Sequence, residues 1–80
     1  MTGARRLAVP RHARVTTDAD GQPRAVDGHE VDGIRETWLL EDRWWTEEPL
    51  RRRYWEVVTT SGSDLVVLHD LFAGGWWRQR

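Results

Sequence analysis

The clearest hydrophobic pattern in the chain has a period of two and lies in its second half. Residues 64–71, DLVVLHDL, set Leu65, Val67, His69 and Leu71 on one side and Val66, Leu68 and Asp70 on the other, the alternation of a strand rather than a helix. Residues 50–60, LRRRYWEVVTT, are rich in aromatic and β-branched side chains, which favour a pleated, half-buried surface. The two runs are separated by Ser61, Gly62 and Ser63, a hairpin turn. Residues 73–75, with Gly74 and Gly75, predict another turn, and 76–80 a last short strand. Three strands joined by short glycine turns form a meander.

The first half is less regular. Residues 11–17 alternate weakly and predict a strand with Ala13, Val15 and Thr17 on its inner face. The DADG stretch at 18–21 is a turn signal, because Asp side chains bond nearby amides and Gly tolerates positive φ. Residues 24–27 form a return strand with Ala25 or Val26 facing in, and Gly28 turns the chain again. Residues 34–45, IRETWLLEDRWW, admit two readings. A helix groups Ile34, Trp38, Glu41 and Trp45. A strand groups Glu36, Trp38, Leu40, Asp42 and Trp44 against Arg35, Thr37, Leu39, Arg43 and Trp45. Neither pattern is clean, and the adjacent tryptophans fit an edge or twisted strand better than a solvated helix. The TEEP stretch at 46–49 ends the segment, because Pro49 has no amide donor and restricts Glu48.

Composition sharpens this picture through tryptophan. All six lie between residues 38 and 77: Trp38, Trp44, Trp45, Trp55, Trp76 and Trp77. Each indole buries a large area and keeps one N–H that needs a partner. In a strand, the pairs Trp44/Trp45 and Trp76/Trp77 each place one ring inward and one outward. Eighty residues make one domain near the lower limit for a self-sufficient core. The expected fold is all-β, an SH3-like half-open barrel or strongly bent antiparallel sheet of about five strands over residues 11–80, preceded by a flexible basic arm at 1–10. Its core is built from Trp38 or Trp44, Tyr54 or Trp55, Val58, Val67 and one of Trp76/Trp77.

Charge and special residues narrow the chemistry. Twelve arginines, with no lysine, face thirteen acids for a net charge of −1, so no broad basic field steers nucleic acid or an anionic membrane. Without cysteine there is neither a disulfide nor a thiolate metal site. No stretch approaches the roughly 20 apolar residues of a membrane span, and Arg5 and Arg6 precede no signal-peptide hydrophobic run. The cytoplasm is the expected location. His12, His29 and His69 lack ligand spacing. Glu36, Glu41, Asp42, Glu47 and Glu48 read as charge-balancing surface, because paired-carboxylate chemistry needs a cleft that so small a sheet lacks. Ser61 and Ser63 lie within a turn, outside any nucleophile motif. No catalytic residue, metal or cofactor is expected.

The remaining candidate is an arginine–tryptophan surface. Arg51 and Arg53 share a strand face with Trp55, Arg52 shares the other with Tyr54, and Arg78 and Arg80 repeat the pattern beside Trp76. Trp45 joins Arg51, Arg53, Trp55, Trp76 and Arg78 as the expected binding surface, with the outward member of each tryptophan pair left open. Such a mixture suits a protein-binding hot spot, and equally a platform where bases stack on indoles while guanidinium groups hold phosphates. Cross-strand acids compete for the same arginines. A third use is burial of the outward indoles against another copy of the chain.

In order, the pieces RHARVTTDADGQP (11–23), E-x-W-L-L-E-D-R-W-W (36–45), RRYWEV (52–57) and L-H-D-L-x-x-G-x-W (68–76) resemble the DUF6504 family of small bacterial domains typical of high-GC actinobacteria. The resemblance covers residues 11–80 and rests on the motifs together. It implies a non-catalytic accessory module that also occurs at the tail of Y-family polymerase-like proteins of mutagenic DNA repair. The matching positions are Trp44, Trp45, Tyr54, Trp55, Asp70 and Trp76. The expectation is therefore a protein–protein interaction module of a DNA-repair or translesion polymerase assembly. The alternatives are a weak single-stranded nucleic-acid binder and a homo-oligomer.

Overall fold

The computed structural model describes residues 9–42 and 45–80. Trp44, and all of the expected arm except Val9 and Pro10, lie outside the described residues. Among the described residues, seven strands form one antiparallel sheet: β1 (Arg11–His12), β2 (Val15–Thr17), β3 (Pro23–Val26), β4 (His29–Asp42), β5 (Leu50–Thr59), β6 (Asp64–Asp70) and β7 (Trp76–Arg78). Their order is β1-β7-β6-β5-β4-β3-β2. No helix is present among the described residues, so none is long and apolar enough to cross a membrane.

The connectivity explains why the sheet curls. β1 and β2 sit at opposite ends of the strand order, yet only Ala13 and Arg14 separate them in the chain. The three residue steps from His12 to Val15 reach at most about 11 Å, so the ends of the sheet must approach each other. The Ala13 amide donates to the Trp76 carbonyl at 2.9 Å, and the Asp27 amide to the Arg14 carbonyl at 2.7 Å. The result is a curled half-barrel, the all-β, barrel-like class expected from the sequence. The strand count is seven rather than about five because the run 11–17 breaks at Ala13–Arg14. Its first piece pairs with β7 and its second with β3.

The ambiguous segment is a strand. β4 runs beside β5 from Val31↔Thr59 to Asp42↔Leu50, with register shifts between Val31 and Gly33 and between Ile34 and Glu36. The second shift makes Arg35 an extra residue, and a bulge breaks the in–out alternation locally. That break gives the sequence its mixed periodicity.

The concave face carries the core. Ala13, Val26, Trp55, Val57, Leu65 and Val67 form one buried cluster, with Val15, Val31, Ile34 and Trp76 packed on it. The Trp55 and Trp76 ring centroids are 5.1 Å apart. Because Trp55 faces inward, β5 parity turns Val57 inward as well. The expectation for Val58 is therefore corrected: it is only half-buried, and Val57 fills the core position. Thr17 is exposed, and Val26 rather than Ala25 is fully buried.

The convex face has its own apolar layer. Leu68 lies between its cross-strand partners Tyr54 and Trp77, and Tyr54 stacks on Trp38 at 5.2 Å. His12 meets the Trp77 ring edge-on at 5.1 Å. Trp76 and Trp77 thus take opposite faces, as adjacent strand residues must, but both are half-buried.

Asp27 fastens the curl. Asp27 (φ 49°) and Gly28 (φ 86°) form the two-residue turn between β3 and β4, and the positive φ at both central positions is that of a type I′ hairpin. The Arg14 amide donates to Asp27 Oδ1 at 2.8 Å, and Arg78 Nη1 donates to Oδ2 at 3.0 Å. The Arg14 amide first, and the Arg78 guanidinium second, hold the Asp27 carboxyl below its ordinary value of 3.8. A group whose folded-state pKa is lowered contributes stability that is complete above its unfolded value and is lost as pH falls through the folded one. Asp27→Asn keeps a residue type that tolerates left-handed backbone and keeps an acceptor for Arg14, but removes the charge facing Arg78. We expect it to cost about 1 kcal/mol at neutral pH and to flatten the decline in stability below about pH 4. Urea denaturation of both proteins from pH 7 to pH 2 measures both effects.

Candidate docking edge

The most exposed apolar residues of β4 lie where it outruns its neighbour. β3 pairs with β4 only at His29 and Glu30. Beyond that, the outer edge of β4 has no strand beside it among the described residues. The β5 side shows which groups this leaves open. The Leu71 amide donates to the Arg51 carbonyl at 2.8 Å, so the backbone groups of Arg51, and of alternate residues after it, face β6. Those of Arg52 and Tyr54 face β4, where they oppose Leu40 and Trp38. In an antiparallel ladder, backbone groups point alternately to the two sides. The amides and carbonyls of Thr37, Leu39 and Glu41 therefore point outward, away from β5.

Side chains above and below that edge are apolar at its centre. Trp38, Leu39 and Leu40 are 38–40% exposed, and Trp45, in the connection to β5, is 65% exposed. Trp38 and Leu40 lie on the convex face and Leu39 on the concave face. Glu36 precedes the strip, and Glu41 and Asp42 follow it. Charges beside an open edge are how soluble proteins restrain uncontrolled strand pairing. Leu71 and Phe72, just past β6, are also exposed.

The structure divides the six residues of the expected binding surface. Arg51 and Arg53 stay on the β4–β5 ribbon beside Glu41 and Leu39, and Arg51 Nε is 2.8 Å from Glu41 Oε2. Trp45 is at the ribbon end. The other three lie elsewhere. Trp55 is 7% exposed in the core, which corrects its assignment to an outward platform: the inward parity of β5 claims its ring. Trp76 is half-buried between Trp55 and His69, stacked on the latter at 4.4 Å. Arg78 is engaged by Asp27, and Arg80 reaches Glu56 at 3.4 Å. The arginines are thus mostly committed to carboxylates, and the rings beside them mostly to packing.

A shallow cavity of about 250 Å³ opens on the convex face, lined by Pro10, Arg52, Leu68, Asp70 and Trp77. Arg52 Nε is buried there without a hydrogen-bond partner. Asp70 is occupied by the turn that follows it, accepting from the Phe72 and Ala73 amides at 3.0 and 2.8 Å. Among the described residues, no group of three or more His, Cys, Asp or Glu side chains converges on a point.

Sequence reasoning missed the Trp38–Leu39–Leu40 edge and the Leu71–Phe72 corner. The available signal was three consecutive apolar residues in a strand whose neighbours alternate, since such a run must expose one face or fill two.

No family model matches the chain, and no curated protein or solved structure matches it. The motifs that carry the DUF6504 resemblance have direct folding roles. In H-D-L-x-x-G-x-W, Asp70 caps the β6–β7 turn, Gly74 takes φ 87° and Trp76 enters the core. Tyr54 and Trp55 are back to back, one in each apolar layer.

Proposed function

We propose that this protein is a non-catalytic protein–protein interaction module whose docking element is the protruding β4–β5 ribbon. The observation that supports this most is the open edge at Thr37, Leu39 and Glu41, bordered by exposed Trp38, Leu39, Leu40 and Trp45. An apolar strip rimmed by charge is the anatomy of an interface, and exposed tryptophan is its commonest anchor. The DUF6504 resemblance supports placing the partner in a bacterial DNA-repair or translesion polymerase assembly.

The single-stranded DNA reading has less support. Its platform needed Trp55 and Trp76 outward and Arg51 and Arg78 free for phosphates. Under the interaction reading, a short single-stranded DNA leaves tryptophan emission unchanged at physiological salt. Saturable quenching there favours direct nucleic-acid contact.

Site-specific photocrosslinking tests the ribbon itself. A benzophenone side chain at position 45 is expected to form discrete protein adducts in cells, and the same group at Asp20, in the β2–β3 turn, none. Leu39→Ser with Leu40→Ser is expected to remove at least about nine-tenths of the adducts and to change stability by under about 1 kcal/mol, because both residues are exposed. Equal adducts from both positions, or no effect of the double substitution, contradicts the ribbon as the docking element.

A further inference from the structure

The convex cavity is separate from the ribbon edge and has a different chemistry. We infer that it binds a free α-amino acid with an apolar side chain, held as the zwitterion between Arg52 and Asp70.

Two opposite charges line this cavity without neutralising each other. Arg52 and Asp70 are cross-strand partners on β5 and β6. The Leu71 amide donates to the Arg51 carbonyl, and the Asp70 amide to the Gly75 carbonyl, so the backbone groups of Arg52 and Asp70 point away from one another. Non-hydrogen-bonded pairs of this kind bring side chains closest, and opposite charges in such positions attract. Arg35, Arg51, Arg78 and Arg80 each reach a carboxylate at 2.8–3.4 Å. Arg52 forms no ion pair among the described residues, and its Nε is buried without an acceptor. A buried donor on a charged group costs free energy while it stays unpaired, and such a group calls for a partner that the chain itself does not supply. Asp70 is held still by its turn. The Phe72 and Ala73 amides both donate to Oδ1, and among the described residues nothing donates to Oδ2.

The class of ligand follows from these charges. An anion alone meets repulsion from Asp70, a cation alone meets repulsion from Arg52, and a neutral group leaves both uncompensated. A zwitterion matches both. Its carboxylate accepts from the Arg52 guanidinium in a charge-assisted bond, and its ammonium donates to Asp70 Oδ2. An α-amino acid carries the two groups on one carbon, which suits two residues directly opposite each other. The rest of the lining is Pro10, Leu68 and the Trp77 ring, which fits an apolar or aromatic side chain. A volume of about 250 Å³ falls below the roughly 300–1,000 Å³ of pockets for drug-sized molecules, and suits a ligand of amino-acid size.

L-Phenylalanine is the probe, titrated into the full chain and followed by proton–nitrogen correlation NMR. Saturable shifts are expected at the Trp77 indole N–H and the Asp70 amide, and none at Gly21 in the β2–β3 turn. N-acetyl-L-phenylalanine lacks the cation and L-phenylalaninamide lacks the anion. Each is expected to bind at least about tenfold more weakly, which also separates a free amino acid from the end of a peptide. Arg52→Gln is expected to weaken phenylalanine at least about tenfold and phenylalaninamide less than about threefold, because the amide has no carboxylate to lose. Asp70→Asn keeps an acceptor for the Phe72 and Ala73 amides. It is expected to weaken phenylalanine at least about tenfold and the acetylated derivative less than about threefold.

Absence of saturable shifts at Trp77 and Asp70 overturns the inference. Equal binding of phenylalanine and its two derivatives also overturns it, since apolar contact with Trp77 then accounts for everything. Both results are read on the unaltered protein, whatever a substitution does to folding. Guanosine offers a donor–acceptor edge and a ring to stack; if it binds more tightly than phenylalanine, the occupant is a nucleobase and the amino-acid assignment is wrong. None of these outcomes bears on the ribbon, which the position-45 crosslinks test separately.

Discussion

Trp55→Ala is expected to cost about 3–5 kcal/mol and to leave the domain largely unfolded at 37 °C. The ring is 7% exposed, packs on Trp76 and belongs to the one cluster shared by β3, β5, β6 and the Ala13 corner. Native stability of roughly 0.05–0.15 kcal/mol per residue gives a chain of this size about 4–12 kcal/mol, so the loss is a large fraction of the total. With about 4–8 °C per kcal/mol for small domains, the midpoint should fall by more than about 12 °C. Thermal and urea denaturation by far-UV circular dichroism measure this. A loss under about 1 kcal/mol places the ring outside the core and returns it to the surface role expected from its arginine neighbours.

Leu68→Ala is expected to cost about 2–5 kcal/mol, although Leu68 lies on the convex face. At 1% exposure it is as buried as the concave core, held between Tyr54 and Trp77. Removing it opens a void under two aromatic rings, so the near-UV dichroism of those rings should weaken even at temperatures where the strands persist. A cost below about 1 kcal/mol, with unchanged aromatic signals, identifies the convex face as solvated surface. The cavity beside Arg52 then becomes a stronger candidate for ligand contact than the ribbon.

These two residues mark how far the sequence could be read. β5 and β6 agree with the expected runs to within one residue, because β-branched side chains and a strict period of two leave little alternative. The turns at Gly28 and Gly62 were legible because positive φ demands residues of that kind, although Asp27, expected to end the return strand, belongs to the first of them. The parity of β5 was not. Tyr54 and Trp55 are both large and both buried, so the pair does not reveal which faces the concave core, and Val57 and Val58 exchange roles with it. The segment leading to Trp45 stayed ambiguous because a bulge at Arg35 erases the alternation that separates strand from helix. The open edge of β4 was the least legible feature. Which strand lacks a neighbour is decided by topology: the two-residue link at Ala13–Arg14 bends the sheet, and short β3 covers only the start of β4. No local pattern encodes that.

Residue-resolved amide hydrogen exchange on the free protein tests the docking edge most directly. The account predicts alternation along β4. The Trp38 and Leu40 amides, bonded to β5, exchange slowly, and those of Thr37, Leu39 and Glu41 exchange at least about a hundredfold faster. Uniform protection across residues 37–41 means that the edge is already covered by another strand and contradicts the account.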